Sequence, residues 1–379
     1  MVAETLPLDT RLRVQLEEAQ STPIDDARLK AFAAELDALK AEITSEVGDA
    51  DVAYVEHVHR LSRICQISGR LLIHFSLEPV SWSLGVLALW AHLQLDNLEI
   101  HHAAQHGAWD DLPEARRFHS DRYAHDSFVD EEAWRYRHNI LHHSYTGQVA
   151  RDPDVTFGFF RLSEHVDPQY FHRVQPLVLI LNTLLTSESA GLISSGLLDY
   201  ITRTLPGYRS ENYPTVRPLG VHNFRKSLRF FARKAGPNFL YNYGLFGLLA
   251  GPLFWPKVTL GTFSAQALRN IFSGLSFYTG HMVEGVKHYT ERPGSRAAWY
   301  VQQIEGTANV RGGKLLSMLM GHLNYQIEHH LFPKLPPNRY EEIAPRVEAL
   351  CDAYGVQYLS GSFSGQVRSV FRQLRRFSR

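Results

Sequence analysis

The sequence predicts an all-α protein with helices that are long and apolar enough to enter a membrane. Three clusters of histidine show spacings of three and four residues, which bring side chains to one face of a helix. Segments 238–255 and 258–282 approach the roughly 20 apolar residues of a transmembrane helix. Segments 61–77 and 80–95 are weaker candidates, because two arginines interrupt the first and the second is short. Hydropathy alone therefore predicts two spans.

Composition argues against several other classes of protein. The 39 basic and 39 acidic residues balance, so the net charge does not indicate a nucleic-acid partner. Only Cys65 and Cys351 are present, without a CxxC pair, so neither a disulfide framework nor a thiolate metal site is indicated. The N-terminus lacks a basic region followed by an apolar one, so no signal peptide is predicted. A metal site in this chain would use nitrogen ligands, and histidine is abundant at 20 copies.

The chain is predicted to have three parts. Residues 1–56 form an N-terminal amphipathic, cytoplasmic segment, whose apolar residues at helical spacing indicate a surface helix packed on the rest of the protein. Residues 57–355 form the membrane domain that carries the histidine clusters. Residues 356–379 form a basic C-terminal tail with a solvated or lipid-facing surface.

One apolar segment of the central domain differs from the candidate spans. Residues 176–203 are apolar but include serine, glutamate and aspartate, which favours a helix at the membrane interface over a span. The residues that follow predict a loop, because Pro206, Gly207, Pro214 and Pro218 lie close together.

The three histidine clusters contain the candidate metal ligands. In the first cluster, His102 and His106 share a helical face, whereas His101 points about 100° away. The candidates in the second and third clusters are His138, His142, His143, His329 and His330. Imidazole binds iron, zinc, copper or nickel, and this many imidazoles exceed the four ligands of one zinc ion. The sequence therefore predicts two metal ions, although each cluster alone could also consist of ordinary surface histidines.

Several neighbouring residues have less certain roles. Asp96 and Glu99 are predicted to accept the free ring N–H of ligand histidines, as is Asp152, which could instead be a turn residue. His322 lies four residues before Gln326, hence on the predicted helical face of the third cluster. It could be an extra ligand, a hydrogen-bond donor or a substrate contact, and the sequence does not distinguish these.

The clusters resemble the three histidine boxes of membrane fatty-acid desaturases of the histidine-box superfamily, and most closely a bacterial, front-end-like branch. The resemblance is carried by residues 97–107, 138–154 and above all 321–333, GHLNYQIEHHLFP. It implies a centre of two iron ions held by histidines, with O2 as co-substrate. It also implies that His281 is an additional ligand and that Gln326 lies near the iron site.

The resemblance further implies four transmembrane helices in two hairpins, with a cytoplasmic helical cap that carries the boxes. The corresponding spans are 61–78, 80–97, 238–255 and 259–282, with short turns near Glu78–Pro79 and Pro256–Lys257. Several arginines and lysines precede the third span, and by the positive-inside rule they place that side in the cytoplasm. An integral protein of the bacterial inner membrane is expected.

The function implied is O2-dependent desaturation of a fatty acyl chain delivered by coenzyme A, an acyl carrier protein or a lipid. No flavin, haem or iron–sulfur motif is visible, so electrons are expected from a partner, such as a ferredoxin or a cytochrome with its reductase. Trp82, Trp90, Phe246 and Phe254 either line an acyl tunnel or are plain lipid-facing or core aromatics. A hydroxylase or ketolase on the same scaffold and a non-catalytic metal-handling membrane protein are the alternatives.

Overall fold

The computed structural model describes residues 25–124, 126–205, 208 and 213–379. Residues 1–24 of the predicted N-terminal segment, and Pro206 and Gly207 of the predicted loop, lie outside the described residues. The described chain is mostly helical, in agreement with the predicted all-α class.

The elements follow one another along the chain as short and long helices with one small pair of strands. The α-helices are α1 (Asp26–Glu46), α2 (Asp49–Phe75), α3 (Pro79–Gln94), α4 (Ala103–His106), α5 (Glu131–Arg135), α6 (His143–Tyr145), α7 (Gln175–Leu184), α8 (Thr186–Ser195), α9 (Leu197–Thr202), α10 (Val221–Phe239), α11 (Phe246–His281), α12 (Arg296–Glu305), α13 (Lys314–Leu319), α14 (Gln326–Leu331), α15 (Tyr340–Tyr354) and α16 (Phe363–Arg376). π-Helical segments cover Leu95–His102, Tyr136–His142 and Leu240–Leu245, and 3-10 turns cover Pro113–Phe118, Tyr170–Val174 and Pro337–Arg339. Strands β1 (Asn309–Arg311) and β2 (Ser360–Ser362) pair in parallel.

Helices α2 and α3 form a tight hairpin whose turn lies at the predicted position. Glu78 caps α3 by accepting hydrogen bonds from the backbone N–H groups of Val80 and Ser81, and Pro79 occupies the first turn. The two helices approach closely at a glycine, since a Cβ added to Gly69 would lie 2.6 Å from the backbone nitrogen of Leu89. The hairpin therefore depends on small residues at the crossing.

The second predicted hairpin has its turn at a different residue. The structure places the break at Gly251, where φ is 71°, and not at the predicted Pro256–Lys257, which lies within helical structure. The left-handed φ of Gly251 ends one helical run, and Pro252, whose fixed φ suits the first turn of a helix, begins the next. The predicted boundary between spans 238–255 and 259–282 is therefore wrong by about one helical turn.

No single helix in the described part of the chain is both long and apolar enough to cross a membrane by itself. One bent pair, Tyr170–Leu184 with Thr186–Ser195, passes that test together, with 100° between its two parts. This bent pair covers much of segment 176–203. The sequence predicted one interfacial helix there, whereas the structure has three helices, α7, α8 and α9. The number of transmembrane helices remains a prediction.

Both ends of the described chain pack beside segments that carry candidate ligand histidines: α1 beside α14, and α16 beside Met282, which follows His281. In α1, Phe32 and Leu36 are fully buried and belong to one hydrophobic core with Ile327 of α14. In α16, Val370 and Leu374 are buried in a second core that includes Met282. The basic C-terminal residues thus occupy the outer face of a packed helix. The predicted division of the chain into three parts remains a prediction.

Candidate metal centre

Two of the three histidine clusters lie on π-helical segments. The segment Leu95–His102 carries His101 and His102 of the first cluster, and Tyr136–His142 carries His138 and His142 of the second. A π-helix bonds residue i to i+5 and turns less per residue than an α-helix, so side chains point in directions that α-helical spacing does not give. Short π-helical segments are rare and often occur at functional sites.

The first group of histidines joins all three clusters. Ring nitrogens of His102, His106, His138 and His329 lie within 4.8 Å of one another, and we call this set the His102 group. Its tightest contact joins Nε2 of His102 to Nε2 of His329, 3.2 Å apart. Three separate parts of the chain, distant in sequence, therefore aim imidazoles at one point.

The second group lies beside the first. Ring nitrogens of His142, His281 and His330 lie within 4.8 Å of one another, and we call this set the His142 group. His143 connects the two groups, because its Nε2 lies 3.2 Å from Nε2 of His138 and its ring stacks on His330 at a centroid distance of 4.4 Å. The structure thus brings together all eight histidines predicted as ligands.

The hydrogen-bond pattern of these histidines fits metal ions. Nε2 of His106, His142 and His330 is buried and has no hydrogen-bond partner. Burying a polar atom in this way costs free energy unless a metal ion or another group binds it. On the opposite side of its ring, His142 places Nδ1 2.9 Å from Oδ1 of Asp152. His330 places Nδ1 3.1 Å from Oγ1 of Thr146 and 3.3 Å from Oε1 of Gln303. An outer hydrogen bond with a free inner nitrogen is the usual arrangement of a metal-bound histidine.

Burial keeps most of these imidazoles in the neutral form that binds metal. Desolvation lowers the pKa of His106, His138, His143, His329 and His330 well below the ordinary value. Burial also acts to lower the pKa of His142, but the Asp152 and Asp154 carboxylates outweigh it and raise that pKa. His142 therefore differs from these five histidines in having carboxylates that favour its charged form.

Asp152 occupies the position predicted for a residue that orients a ligand histidine. Besides contacting His142, its two oxygens accept hydrogen bonds of 2.8 Å from the backbone N–H groups of Gly147 and Asp154. Asp154 forms a buried ion pair with Arg137 and lies 3.6 Å from Nδ1 of His142. These contacts fix the Asp152 carboxylate, and through it the plane of the His142 ring.

In the described part of the chain, Asp96 and Glu99 form no hydrogen bond of the predicted kind with any of the eight candidate ligand histidines. Asp96 accepts a hydrogen bond of 2.6 Å from the hydroxyl of Tyr123. Glu99 lies 2.9 Å from Nδ1 of His322 and accepts a 2.7 Å bond from the hydroxyl of Tyr54.

His322 lies away from both groups and forms no part of them. The prediction placed it on the helix of the third cluster, but α14 begins at Gln326, and Gly321 and His322 have φ values of 66° and 52°. This left-handed turn directs His322 toward Glu99. His101 is also separate from the groups, with Nε2 4.0 Å from Oε1 of Glu131.

Gln326 lies near the His142 group, because its side-chain amide nitrogen is 2.8 Å from Nε2 of His281. Residues that the sequence analysis missed complete the surroundings. The hydroxyl of Tyr340 lies 3.3 Å from Nδ1 of His329, and Thr146 and Gln303 contact His330. Thr146 lies four residues after His142, so its position near the centre could have been predicted from helical spacing. No comparable spacing in the sequence indicates Gln303 or Tyr340.

A cavity of about 160 Å³ adjoins the His102 group. His102 and His138 form part of its wall, together with the aromatic side chains of Trp134, Phe157 and Phe277. The polar residues Asn182, Thr186, Ser189 and Ser194 lie along the α7–α8 side.

The aromatic residues proposed from the sequence for an acyl tunnel do not line this cavity. The core of the α2–α3 hairpin is instead where Trp82, Trp90 and Phe246 pack. This agrees with the alternative interpretation, in which they are core aromatics. Phe254 is exposed.

Comparison with known proteins gives the family. The model of the fatty acid desaturase family matches residues 79–362. An NADPH-dependent stearoyl-CoA 9-desaturase of Mycobacterium tuberculosis is 31% identical over 362 residues, covering 94% of this chain and 81% of the relative. An sn-1 linoleoyl-lipid 6-desaturase of Synechocystis is 26% identical, covering 77% of this chain and 79% of the relative. The match spans all three histidine clusters, so the chain belongs to the fatty acid desaturase family, whose members are oxidoreductases.

Proposed function

We propose that this protein desaturates a fatty acyl chain with O2 at a centre of two iron ions. The single observation that carries the proposal is the convergence of eight histidines beside a cavity: seven form two adjoining groups, His143 connects the groups, and several Nε2 atoms lack hydrogen-bond partners. A non-catalytic metal-handling role would not require that cavity. Two metal ions also account for more imidazoles than one ion can use.

We propose that each group of histidines holds one of the two ions. His102, His106, His138 and His329 would hold one ion, and His142, His281 and His330 the other, with His143 between them. Iron in a nitrogen-rich site with open positions supplies the power to oxidise an unactivated C–H bond when O2 and electrons are provided.

The protein's own residues fix the ligands and shape the site. Asp152 accepts the Nδ1–H of His142, and Gln303 accepts that of His330, which leaves each Nε2 lone pair for metal. Trp134 stacks on His138 at a centroid distance of 4.2 Å and forms part of the cavity wall. An acyl chain in this cavity would place adjacent carbons next to the His102 group while aromatic side chains exclude water.

The overall reaction removes two hydrogens from adjacent carbons and reduces O2 to two waters, which requires two further electrons and two protons. We propose that a separate carrier supplies the electrons, such as a ferredoxin or a cytochrome with its reductase. The name of the Mycobacterium tuberculosis relative supports NADPH as the ultimate source. The names of the relatives support an acyl-CoA or a lipid as substrate, and an acyl carrier protein is the third candidate.

We also propose that the two hairpins insert into the bacterial inner membrane as four spans with the centre facing the cytoplasm. Large apolar residues near the turns of both hairpins are exposed, with Leu77 at 91% and Leu253 at 80%. Patches of this kind on a protein surface mark contact with lipid or with a partner.

The test is gas chromatography–mass spectrometry of fatty acids from cells that express the chain together with an electron donor. The matched control is His142→Ala, which removes a proposed ligand. A new unsaturated acid that disappears in the variant is expected, and derivatisation would locate its double bond. An oxygenated acid would favour a hydroxylase or ketolase, whereas iron-loaded protein without any new acid would contradict the proposal.

A further inference from the structure

Helix α10 (Val221–Phe239) presents three different faces. The first packs inward through Ser227 and Phe230, which are 1% and 3% exposed. The second carries the exposed apolar side chains of Val221, Phe224 and Leu228. These three positions are spaced by three, four and seven residues and therefore form one stripe along the helix.

The third face of α10 is basic and lies directly beside the apolar stripe. Arg225 and Arg229 are exposed and four residues apart, and neither forms an ion pair with any described residue. The other arginine and the two lysines of the helix have partners: Lys226 pairs with Glu132, Arg233 with Asp130, and Lys234 with Glu131. The charges of Arg225 and Arg229 are therefore available to an external anion.

Helix α16 provides an internal comparison, because it also has an exposed basic face but lacks the apolar stripe. Its residues Arg368 and Arg375 are exposed, and none of its large apolar residues is. A basic face without exposed apolar neighbours suits water or a protein partner. A basic stripe next to an apolar stripe suits the boundary between lipid head groups and acyl chains.

We propose that α10 lies in the membrane interface and that Arg225 and Arg229 bind the phosphates of anionic lipids. Val221, Phe224 and Leu228 would enter the acyl region, while the guanidinium groups remain at the head groups. Protein carriers of electrons would then dock elsewhere, and the outer face of α16 is available to them.

This lipid-binding face adjoins the elements that form the cavity. Helix α10 packs against α8, whose residues line the cavity, and its ion pairs join it to α5, which carries Trp134. The proposal rests on the membrane location within the proposed function, but it requires neither iron nor catalysis. Lipid binding and desaturation can therefore be measured, and can fail, independently.

The experiment is native mass spectrometry of the full chain in detergent, titrated with phosphatidylglycerol or phosphatidylcholine. We compare the wild type with Arg225→Gln/Arg229→Gln and with the matched control Arg368→Gln/Arg375→Gln. The wild type is expected to prefer phosphatidylglycerol. At about 1 kcal/mol for each basic residue, the α10 variant should bind it roughly 30-fold more weakly, and the α16 variant should bind it as the wild type does.

Three results would overturn the proposal. One is equal binding of the two lipids by the wild type, and another is an equal loss in both variants, which would indicate unspecific charge. The third is unchanged lipid binding of the α10 variant with slower reduction by an acidic carrier, which would make α10 a protein-docking surface. Because the substituted side chains are exposed, both variants should fold, and their thermal unfolding is measured alongside to verify this.

Discussion

Nδ1 of His142 lies 2.9 Å from Oδ1 of Asp152, and the same carboxylate accepts two backbone N–H groups. The ring N–H of His142 and the two backbone N–H groups thus all point at oxygens of the Asp152 carboxylate. His142 is thereby held with its other nitrogen, Nε2, buried and free of hydrogen bonds. This contact links a turn after the second cluster to the arrangement of the metal ligands.

Asp152→Asn is therefore expected to weaken metal binding. An asparagine in either orientation places an NH2 group against a donor, either the backbone N–H of Gly147 or the N–H groups of His142 and Asp154. Loss of such an orienting partner typically costs 10–100-fold in metal affinity, and we expect a loss of about that size. Iron titration of the apoprotein measures it, with the exposed Asp121→Asn as control. Equal affinities for the Asp152 variant and the wild type would contradict the role of Asp152.

Removal of iron is expected to lower the thermal stability of the protein. Metal that binds the folded state alone stabilises it by about 2.7 kcal/mol at a hundredfold excess over the dissociation constant. Differential scanning calorimetry before and after chelation measures the shift in Tm. His142→Ala should show a much smaller iron-dependent shift. A shift of the same size in this variant would mean that iron stabilises the protein through another site.

Gly321→Ala is expected to destabilise the fold by about 1–3 kcal/mol, because Gly321 has a φ of 66° that alanine adopts only with strain. An added Cβ would also lie 2.5 Å from the backbone carbonyl of Leu98. Unfolding by urea measures the change. Gly294→Ala is the matched control, since nothing lies within 4 Å of a Cβ built there. If both variants unfold at the same urea concentration, the close approach of the third cluster to Leu98 is not needed for stability.

We predict that protonation of Asp199 makes the free energy of unfolding depend on pH, independently of the candidate metal centre. Burial raises the pKa of Asp199 from 3.8 to about 6, against the hydrogen bond that it accepts from the backbone of Val216. A raised carboxyl pKa means that the folded state favours the protonated form. Stability attributable to Asp199 is therefore greatest below pH 3.8 and declines until about pH 6.

Asp199→Asn should remove this decline and leave the variant more stable than the wild type at pH 7. The asparagine oxygen can still accept the Val216 hydrogen bond, and the buried charge is gone. Unfolding free energies at pH 5 and pH 7 measure the difference between the two proteins. Parallel pH profiles would show that the carboxyl group is not stabilised in its neutral form.

The sequence predicted the parts of the centre that depend on local spacing and on the resemblance. His102 and His106 share a face, as do His138 and His142, and the family likeness added His281. The hydrogen-bond partners were predicted less well, because they depend on contacts between distant segments. Gln303 of α12 contacts His330, and no local sequence pattern predicts a contact between such distant residues.

The errors have local causes that can be named. A left-handed turn at Gly321 and His322 places His322 outside the helix of the third cluster, which begins at Gln326. The turn of the second hairpin lies at Gly251, where φ is 71°, and not at the predicted Pro256–Lys257. In each case one unusual backbone conformation, which composition does not reveal, overrode an expectation based on regular helices.

The 3.2 Å contact between His102 and His329 joins residues 227 positions apart, and this has a consequence for biosynthesis. A chain grows at about 5–20 residues per second, so the first cluster leaves the ribosome many seconds before the third. Helices α15 and α16, which follow His330, also pack around the centre and must be made before it is enclosed. If the centre holds iron as proposed, the complete set of ligands can therefore receive it only after the chain has been synthesised.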